Sequence, residues 1–324
     1  MLAPRRASIH SGMWLTGFII PQLDARGYDE AVSEDLPTSV EVSRVTLDGD
    51  RRVRETASVA HESPLALQVD GVPVSVVMRT PGADEELALG MLLTEGVISS
   101  MAQVHSIRPC AQSEDDAAGG RTISARLRGP GVLEAIERMR RVTLTGSSCG
   151  VCGRRTIEDL LERLPALDPS GPALEPAVIV RVAAALAGQQ PIFERTGGLH
   201  AVGLFDAGGA PLVIYEDVGR HNAVDKVIGW RLREGDTRGV ILMVSGRVSF
   251  EIVQKALRAG LPVVAAISAP TSLAVDLAVE SHMTLIGFVR GSVMSVYAGA
   301  SRFGVGGDAG ETGRPTPRVF EVGD

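Results

Sequence analysis

The sequence predicts an α/β fold, and two patterns indicate it. In the C-terminal half, short apolar runs typical of buried strands alternate with segments of helical periodicity. The runs cover residues 239–244, 261–267 and 283–289, and the helical segments cover 249–259 and 271–281. This strand–helix–strand order predicts a parallel sheet that is covered by helices. In the N-terminal half, alternating runs are interrupted by Asp-Gly pairs, which predicts β-hairpins.

Residues 39–140 are predicted to form a smaller α+β domain. Asp48-Gly49 marks a turn, and Asp70-Gly71 lies between two alternating runs, which is a strong hairpin signal. Asp84 and the two glutamates after it suit a helix N-terminus, and Gly96 is the expected end of that helix. Two further elements are predicted, a strand and then a helix, over residues 121–128 and 132–141.

Residues 141–302 are predicted to form the larger α/β domain, which carries the candidate chemistry. Before the alternating strands and helices, an apolar helix is expected to end at Gly188, and two strands are expected to pair across the Gly-rich turn 206–209. The helices of this part are predicted over residues 178–187 and 222–232, and the paired strands over 199–205 and 211–215.

The two ends of the chain are predicted to be disordered. Residues 1–38 mix glycine, proline and acidic residues without periodicity, and we interpret them as an N-terminal extension. Residues 303–324 contain several glycines and form the predicted disordered tail.

The composition excludes several classes of protein. Of the 324 residues, 44% are hydrophobic and 22% charged, which is ordinary for a soluble protein. A net charge of −7 argues against a general nucleic-acid binder, and no apolar run reaches membrane-spanning length. Three cysteines are too few for a disulfide scaffold, and the presence of a C-x-x-C pair suits a reducing, cytoplasmic environment.

Two of the three cysteines, Cys149 and Cys152, lie in the Gly- and Ser-rich stretch 145–153. The preceding residues 141–144 read as a short strand, and residues 154–164 have apolar residues at the spacing of one helix face. We therefore expect the pair on a loop between a strand and the start of a helix. The helix N-terminus and the two arginines that begin 154–164 would favour thiolate over thiol.

Other interpretations of the cysteine pair remain open from the residues alone. It could be half of a zinc site completed by Cys110, His200 or His221, but none of these has finger-like spacing. A thioredoxin-like disulfide exchanger and two simply packed cysteines are further alternatives, disfavoured by the mid-chain position and by the Gly-rich loop.

A zinc-dependent deaminase requires H-x-E followed by P-C-x-x-C. Here Val202 stands where the glutamate after His200 is required, and Ser148 replaces the proline. The cysteine pair also precedes the histidine. We therefore expect no zinc hydrolysis, and no metal in the resting protein.

Three loops follow the predicted parallel strands and should meet at one edge of the sheet. They are Ser245-Gly246-Arg247, Ala269-Pro270-Thr271 and Arg290-Gly291-Ser292. The first offers backbone N–H groups, hydroxyls and a guanidinium, which suits a phosphate. The alternative is an ordinary N-cap by Ser249 beside a surface arginine.

Two histidines lie in polar loops near predicted strand ends. His221 belongs to the run 216–222 and could serve as an acid, a base or a metal ligand. The alternative is an ion-paired turn in which Asn222 caps the helix. His200 ends the stretch 196–200, which is either a substrate loop or the site of a half-buried histidine.

Four long motifs, taken together, resemble those of the formate dehydrogenase accessory sulfurtransferases, the FdhD family. Their order and spacing also match, and the resemblance covers roughly residues 40–300. The motifs are Gly146-Ser147-Ser148-Cys149-Gly150-Val151-Cys152-Gly153, Thr196-Gly197-Gly198-Leu199-His200-Ala201, the eleven residues 216–226 from Glu216 to Lys226, and Ser245-Gly246-Arg247-Val248-Ser249-Phe250-Glu251.

This resemblance implies a cytoplasmic sulfur carrier. Members of the family accept sulfur from a cysteine desulfurase as a cysteine persulfide. They pass it to the bis-molybdopterin guanine dinucleotide molybdenum cofactor, before that cofactor enters the catalytic subunit of formate dehydrogenase. The resemblance also implies a larger domain with a cytidine-deaminase-like fold, and a homodimer. A non-catalytic chaperone that only binds and delivers the cofactor is the alternative.

The resemblance also assigns roles to residues. Cys149 matches the persulfide carrier, and Cys152 either resolves the persulfide or tunes the first thiolate, while Cys110 is given no role. From their own chemistry rather than from the resemblance, the loop Ser245-Gly246-Arg247 and His221 are expected to assist cofactor binding. The cofactor-binding stretch matches Phe288, Val289, Arg290, Gly291, Ser292 and Val293. Relatives often have a second basic residue after this glycine, where the present chain has Ser292 and Val293, so only Arg290 is expected to hold phosphate there.

Overall fold

The computed structural model describes residues 36–110, 121–144, 164, 167–168 and 171–305. The predicted disordered ends therefore lie outside the described residues, apart from 36–38 and 303–305.

Twelve strands are described: β1 Ser39–Asp48, β2 Arg51–Ala60, β3 Ser63–Val69, β4 Val72–Arg79, β5 Val104–Pro109, β6 Arg121–Leu127, β7 His200–Phe205, β8 Pro211–Asp217, β9 Ile241–Val244, β10 Val263–Ala266, β11 Thr284–Arg290 and β12 Val293–Ala298. Seven α-helices are described: α1 Asp84–Thr94, α2 Val132–Leu144, α3 Pro176–Ala187, α4 Pro191–Thr196, α5 Arg220–Glu234, α6 Phe250–Arg258 and α7 Ser272–Glu280.

The largest of the described sheets has the strand order β12-β11-β10-β9-β7-β8. Within this sheet the adjacent strands β9, β10 and β11 are parallel, as the alternation of strands and helices predicts. The flanking strands β7 and β12 pair antiparallel with this centre, and the edge strand β8 pairs antiparallel with β7. The α/β class predicted from the sequence is therefore confirmed, with a mixed rather than wholly parallel sheet.

Alternate residues of the central strands point to opposite faces of this sheet, and helices cover both faces, so the strands are buried on both sides. In β9, Leu242 and Val244 join a hydrophobic cluster with residues of α5, α6 and α7. Ile241 and Met243 join a second cluster with residues of α3. The helices on both sides explain why the strands read as continuous apolar runs in the sequence.

The second sheet has the order β4-β3-β6-β5 and includes the predicted Asp-Gly hairpin. Asp70 and Gly71 both have positive φ, 49° and 79°, as a tight two-residue hairpin turn requires. Leu67 of β3 and Leu89 of α1 belong to the same cluster as Leu242 of β9. One apolar core therefore runs from the small sheet to the large one, and the predicted domain boundary at residue 140 stays a prediction.

Strands β1 and β2 form a separate two-stranded ribbon that is largely exposed. Arg44 Nε and Thr46 Oγ1 both donate to Glu55 Oε1, at 2.9 and 2.5 Å. These bonds and the charge of Arg44 lower the pKa of Glu55. The ribbon thus depends on cross-strand polar contacts rather than on a core of its own.

The prediction of a strand over residues 141–144 is wrong, because these residues are the last turn of α2. Buried residues recur on one face of that helix at the helical spacing, at Val132, Ala135, Ile136 and Met139. Continuing such a helix through β-branched residues costs only about 0.7 kcal/mol per residue or less, so their strand preference does not prevail.

Helix α5 crosses α1 at backbone contact distance. A Cβ atom at Gly90 of α1 would overlap the carbonyl oxygen of Asp225, and one at Gly229 of α5 would overlap that of Glu86. Only glycine at both positions permits this approach, even though glycine within a helix costs roughly 1 kcal/mol relative to alanine. Close packing of the two helices compensates for that cost.

A buried polar network joins the same helices to α6. Lys255 Nζ donates to both carboxylate oxygens of Asp225, at 2.9 and 2.8 Å, and to Thr94 Oγ1 at 2.8 Å. Burial alone would lower the pKa of Lys255, but the charges of Asp225 and Glu95 outweigh it and raise that pKa. The ammonium group is therefore held charged between three helices.

We expect Gly90→Ala and Gly229→Ala each to lower the free energy of unfolding by more than about 2 kcal/mol, because the added methyl group meets backbone of the facing helix. Urea unfolding followed by circular dichroism measures the loss. Gly188→Ala, at the end of α3, is the matched control, since the nearest atom to its built Cβ is 3.6 Å away. A stability equal to that control in both variants would contradict the close crossing.

Candidate functional site

The loops that follow β9, β10 and β11 are joined at the carboxyl edge of the large sheet. Val248 N donates to Ala269 O at 3.1 Å, and Thr271 N donates to Val248 O at 2.9 Å. Phe288 N donates to Ser268 O at 3.1 Å, which links the third strand to the second loop. Three loops singled out in the sequence therefore lie at one edge, where ligands of such sheets bind.

Helices α6 and α7 begin at this edge, each directly after one of the loops. Ser249 and Thr271 occupy their N-cap positions, but neither side chain makes a capping hydrogen bond. Instead Ser249 Oγ donates to Glu251 Oε2 at 3.2 Å. The first N–H groups of both helices are thus not capped by these side chains.

The predicted cofactor stretch 288–293 forms the tip between β11 and β12. Val289 is buried, whereas Phe288, Arg290, Gly291, Ser292 and Val293 are exposed. Phe288 has a φ of 54°, which is costly for an aromatic residue and marks a bulge in the strand.

The arginine of this tip is oriented by its neighbour. The guanidinium carbon of Arg290 lies 5.7 Å from the ring centroid of Phe288, within the range of a cation–π contact. Within the described part of the chain, Arg290 forms no ion pair. Its charge is therefore available to an anionic ligand.

The loop after β9 contributes Ser245, Gly246 and Arg247. Ser245 ties this loop to β7, because its N–H donates to Ala201 O at 2.9 Å and its Oγ accepts from Ala201 N at 3.0 Å. Gly246 lies against His200, since a Cβ built there would be 3.2 Å from His200 Nδ1. Arg247 is exposed, and no carboxylate of the described residues pairs with it.

The helix that carries His221 starts earlier than predicted, at Arg220 rather than Asn222. Asn222 is therefore not a cap, and its Nδ2 instead donates to Met78 O at 2.8 Å and to Asp217 Oδ1 at 3.0 Å. His221 lies in the first turn of α5, with its Nε2 2.9 Å from Glu251 Oε2. The structure thus places His221 against a carboxylate of α6.

Glu251 is held in its charged form by this contact. Burial alone would raise its pKa, but His221, Ser249 and the charge of Arg220 outweigh burial and lower it. The sequence analysis missed Glu251 as a partner of His221, because the two residues lie thirty positions apart and only the packing of α5 on α6 joins them.

A buried ion pair fixes the turn that leads to Arg220 and His221. Asp217 and Lys226 are both buried, and Lys226 Nζ lies 2.7 Å from Asp217 Oδ2. Lys226 Nζ also donates to Thr80 O at 2.8 Å, and Gly219 N donates to Asp217 Oδ1 at 2.8 Å. Removing one partner of such a pair typically costs about 3–5 kcal/mol, because the other charge stays buried.

A cavity of about 590 Å³ lies near this ion pair, lined among others by Gln189, Tyr215, Glu216 and Lys226. Burial raises the pKa of Tyr215 to about 12, so its phenol stays protonated. Glu216 accepts from the N–H groups of Ile192 and Phe193, and Lys226 is paired with Asp217. Since its charged groups already have protein partners, this cavity fits an anionic ligand less well than the strand-end loops do.

The predicted persulfide carrier Cys149 and its neighbour Cys152 lie outside the described residues. Cys110 is free and half-buried, and its Sγ accepts from Gln68 Nε2 at 3.7 Å. Over the described ranges, no group of three or more His, Cys, Asp or Glu side chains could hold a metal ion. The expectation that the resting protein holds no metal stays a prediction. None of the helices in the same ranges is long and apolar enough to cross a membrane.

These features define an α/β protein that presents cationic side chains at the carboxyl edge of its sheet. The chain belongs to the FdhD/NarQ family, whose model matches residues 60–304.

Curated relatives include the sulfur carrier protein FdhD of Anaeromyxobacter sp. (strain K), 45% identical over 84% of this chain and 96% of the relative. The protein of the same name from Nocardia farcinica is 45% identical over 81% of this chain and 92% of its own.

A solved structure shares the fold. The crystal structure described as a formate dehydrogenase accessory protein from Desulfotalea psychrophila has a TM-score of 0.65 and 26% identity to this chain. It covers 82% of this chain and 99% of its own length. The cytidine-deaminase-like character expected for the larger domain stays a prediction.

Proposed function

We propose that the protein is a sulfur carrier that acts in the maturation of formate dehydrogenase. The observation that carries this proposal is the 45% identity, over 84% of the chain, to a relative named as a sulfur carrier protein. The solved structure described as a formate dehydrogenase accessory protein supports the same process. The cysteine pair in the sequence supplies the chemical group that sulfur transfer needs.

In the proposed first step, the thiolate of Cys149 attacks the terminal sulfur of a persulfide on a cysteine desulfurase. The S–S bond of the donor breaks, the donor cysteine leaves as a thiolate, and Cys149 then carries the terminal sulfur. Cys152, three positions further on, has two possible roles: it attacks the loaded persulfide, or it tunes the first thiolate.

The proposed acceptor is the bis-molybdopterin guanine dinucleotide molybdenum cofactor, bound as a substrate. Its guanine nucleotides carry phosphate groups, and the strand-end loops offer Arg247 and Arg290 for them, neither of which pairs with a carboxylate of the described residues. Ser245, Gly246 and His221 complete the proposed contacts at this edge. Phe288 supports the arginine of the tip through its ring face.

The remaining partners are proposed on the family resemblance. We propose a cytoplasmic protein that meets a cysteine desulfurase as donor and the catalytic subunit of formate dehydrogenase as recipient of the finished cofactor. We also propose a homodimer, and the molar mass from light scattering on the purified chain tests it directly. A monomer at micromolar concentration would contradict the dimer and leave the sulfur chemistry untouched.

We expect Cys149→Ala to abolish persulfide loading, because no other thiol of the loop then replaces the carrier. Purified protein is incubated with a cysteine desulfurase and cysteine, and intact mass spectrometry counts the added sulfur. Cys152→Ala should retain part of the loading, and Cys110→Ala is the matched control that should load fully.

Two results would contradict this assignment. Equal loading of the Cys149 and Cys152 variants would show that neither is a unique carrier. No added sulfur on the unaltered protein would instead favour a non-catalytic chaperone that only binds and delivers the cofactor.

Arg290→Ala should weaken the binding of guanosine diphosphate about tenfold or more, because a charge-assisted hydrogen bond contributes roughly 1.5–3 kcal/mol. Titration calorimetry measures the affinity, and persulfide loading on Cys149 should stay intact. Arg52→Ala, on the exposed β1–β2 ribbon, removes the same charge elsewhere and should leave the affinity unchanged. An unchanged affinity of the Arg290 variant would move the nucleotide site away from the tip.

A further inference from the structure

Strand β8 is the edge strand of the large sheet, since β7 is its one neighbour among the described strands. The direction of its main-chain groups follows from β7. Ala201 of β7 directs both its N–H and its C=O toward the loop after β9, where they bond to Ser245. In an antiparallel sheet, a residue whose groups point to one neighbouring strand points away from the other. The pair of Ala201 with Glu216 is therefore not hydrogen-bonded between β7 and β8.

The main-chain N–H and C=O of Glu216 consequently point to the free edge of β8. The register between β7 and β8 is continuous as far as the pair of Gly203 with Ile214, so the same holds for Ile214, two positions earlier. Within the described ranges, no main-chain hydrogen bond from outside the ladder reaches Ile214 or Glu216. An edge with such unpaired groups is a template for a further strand.

The cavity of about 590 Å³ lies along this edge. Three consecutive residues of β8 line it, namely Ile214, Tyr215 and Glu216. Ile214 packs against the hydrophobic cluster on the α3 side of the sheet, and Tyr215 packs against the cluster on the opposite side. A space that is bordered by neighbours from both faces opens at the edge of the strand. Residues 81–83 and the segment between α3 and α4 form its other walls, so a single extended chain fits there.

The uncompensated charge that lines the cavity is negative. Lys226 is buried and paired with Asp217, so its charge is neutralised. Glu216 forms no ion pair within the described part of the chain, and its two oxygens accept the N–H groups of Ile192 and Phe193. A carboxylate has about four acceptor positions, so Glu216 can accept further hydrogen bonds. A lysine or arginine side chain therefore complements this cavity, and an acidic one does not.

We propose that the free edge of β8 binds an extended, basic peptide segment of a partner protein as an added strand. Main-chain hydrogen bonds to Ile214 and Glu216 supply the affinity, and side chains supply the selectivity. Directly opposed residues of paired strands have their side chains on the same face. The peptide thus places a lysine or arginine opposite Glu216 and an apolar residue opposite Ile214. This interaction is separate from the sulfur chemistry proposed above and does not depend on it.

The probe is the peptide acetyl-Thr-Val-Thr-Lys-Thr-Val-Thr-amide, whose sequence is the same in both directions. We expect it to bind the protein in titration calorimetry. The peptide with glutamate in place of lysine should bind at least about tenfold more weakly, because like charges on opposed residues are unfavourable. Glu216→Gln should remove this difference between the two peptides. Glu194→Gln removes an exposed carboxylate of α4 outside the cavity lining, and this matched control should keep the difference.

Methylation of the peptide nitrogens tests the main-chain bonds on the unaltered protein, so a folding defect in a variant does not obscure the outcome. Methyl groups on the lysine and both valines remove the donors along one edge of the extended peptide. Methyl groups on the four threonines remove those along the other edge. We expect one of these two sets to abolish binding and the other to leave it intact, since only one edge of the peptide faces β8.

Three results would overturn the proposal. Equal binding of the two methylated peptides would show that no strand is added. Equal binding of the lysine and glutamate peptides would show that the charge of Glu216 selects nothing. The third is no binding of the lysine peptide; if Ile214→Pro, which removes an outward N–H of β8, then converts a dimer to a monomer in light scattering, the edge pairs with a second copy of the chain instead.

Discussion

The backbone contact between α1 and α5 is the constraint on which the rest of the structure depends. Gly90 and Gly229 let the two helices touch, and the pair of Asp225 with Lys255 joins α6 to them. Helix α5 packs on β7 and β8 of the large sheet, while α1 belongs to the part built on the small sheet. One helix crossing therefore fixes how the two sheets meet, and a movement of α5 would displace Arg220 at its start.

The strand-end site depends on that placement through a second buried pair. Asp217 and Lys226 anchor the turn before α5 to Thr80 at the end of β4, so the small sheet helps to position the first turn of the helix. Arg220 and His221 then face the loops of the large sheet. A buried pair of this kind is weak evidence for stability, but here its hydrogen bonds define one conformation of the turn.

The charge distribution at the edge follows from this construction and matches a phosphate-rich ligand. The carboxylates near the site already have protein partners. Asp217 forms an ion pair with Lys226, and Glu251 contacts His221 and accepts a hydrogen bond from Ser249. Among the described residues, Arg247 and Arg290 pair with no carboxylate. An excess of cations therefore develops locally in a chain whose net charge is −7. In the proposed function, this edge holds the cofactor that accepts the sulfur.

The sequence by itself determined the α/β class, the hairpin at Asp70-Gly71 and the strand-end loops, because hydrophobic periodicity and turn chemistry are local properties. It misjudged residues 141–144, where the helical packing of α2 outweighed a local strand preference. Only the tertiary structure decided that Glu251 meets His221 and that the Nε atom of Arg220 is left without a hydrogen-bond acceptor among the described residues. These features arise between elements far apart in sequence, where side-chain partners depend on how helices pack and no local pattern records them.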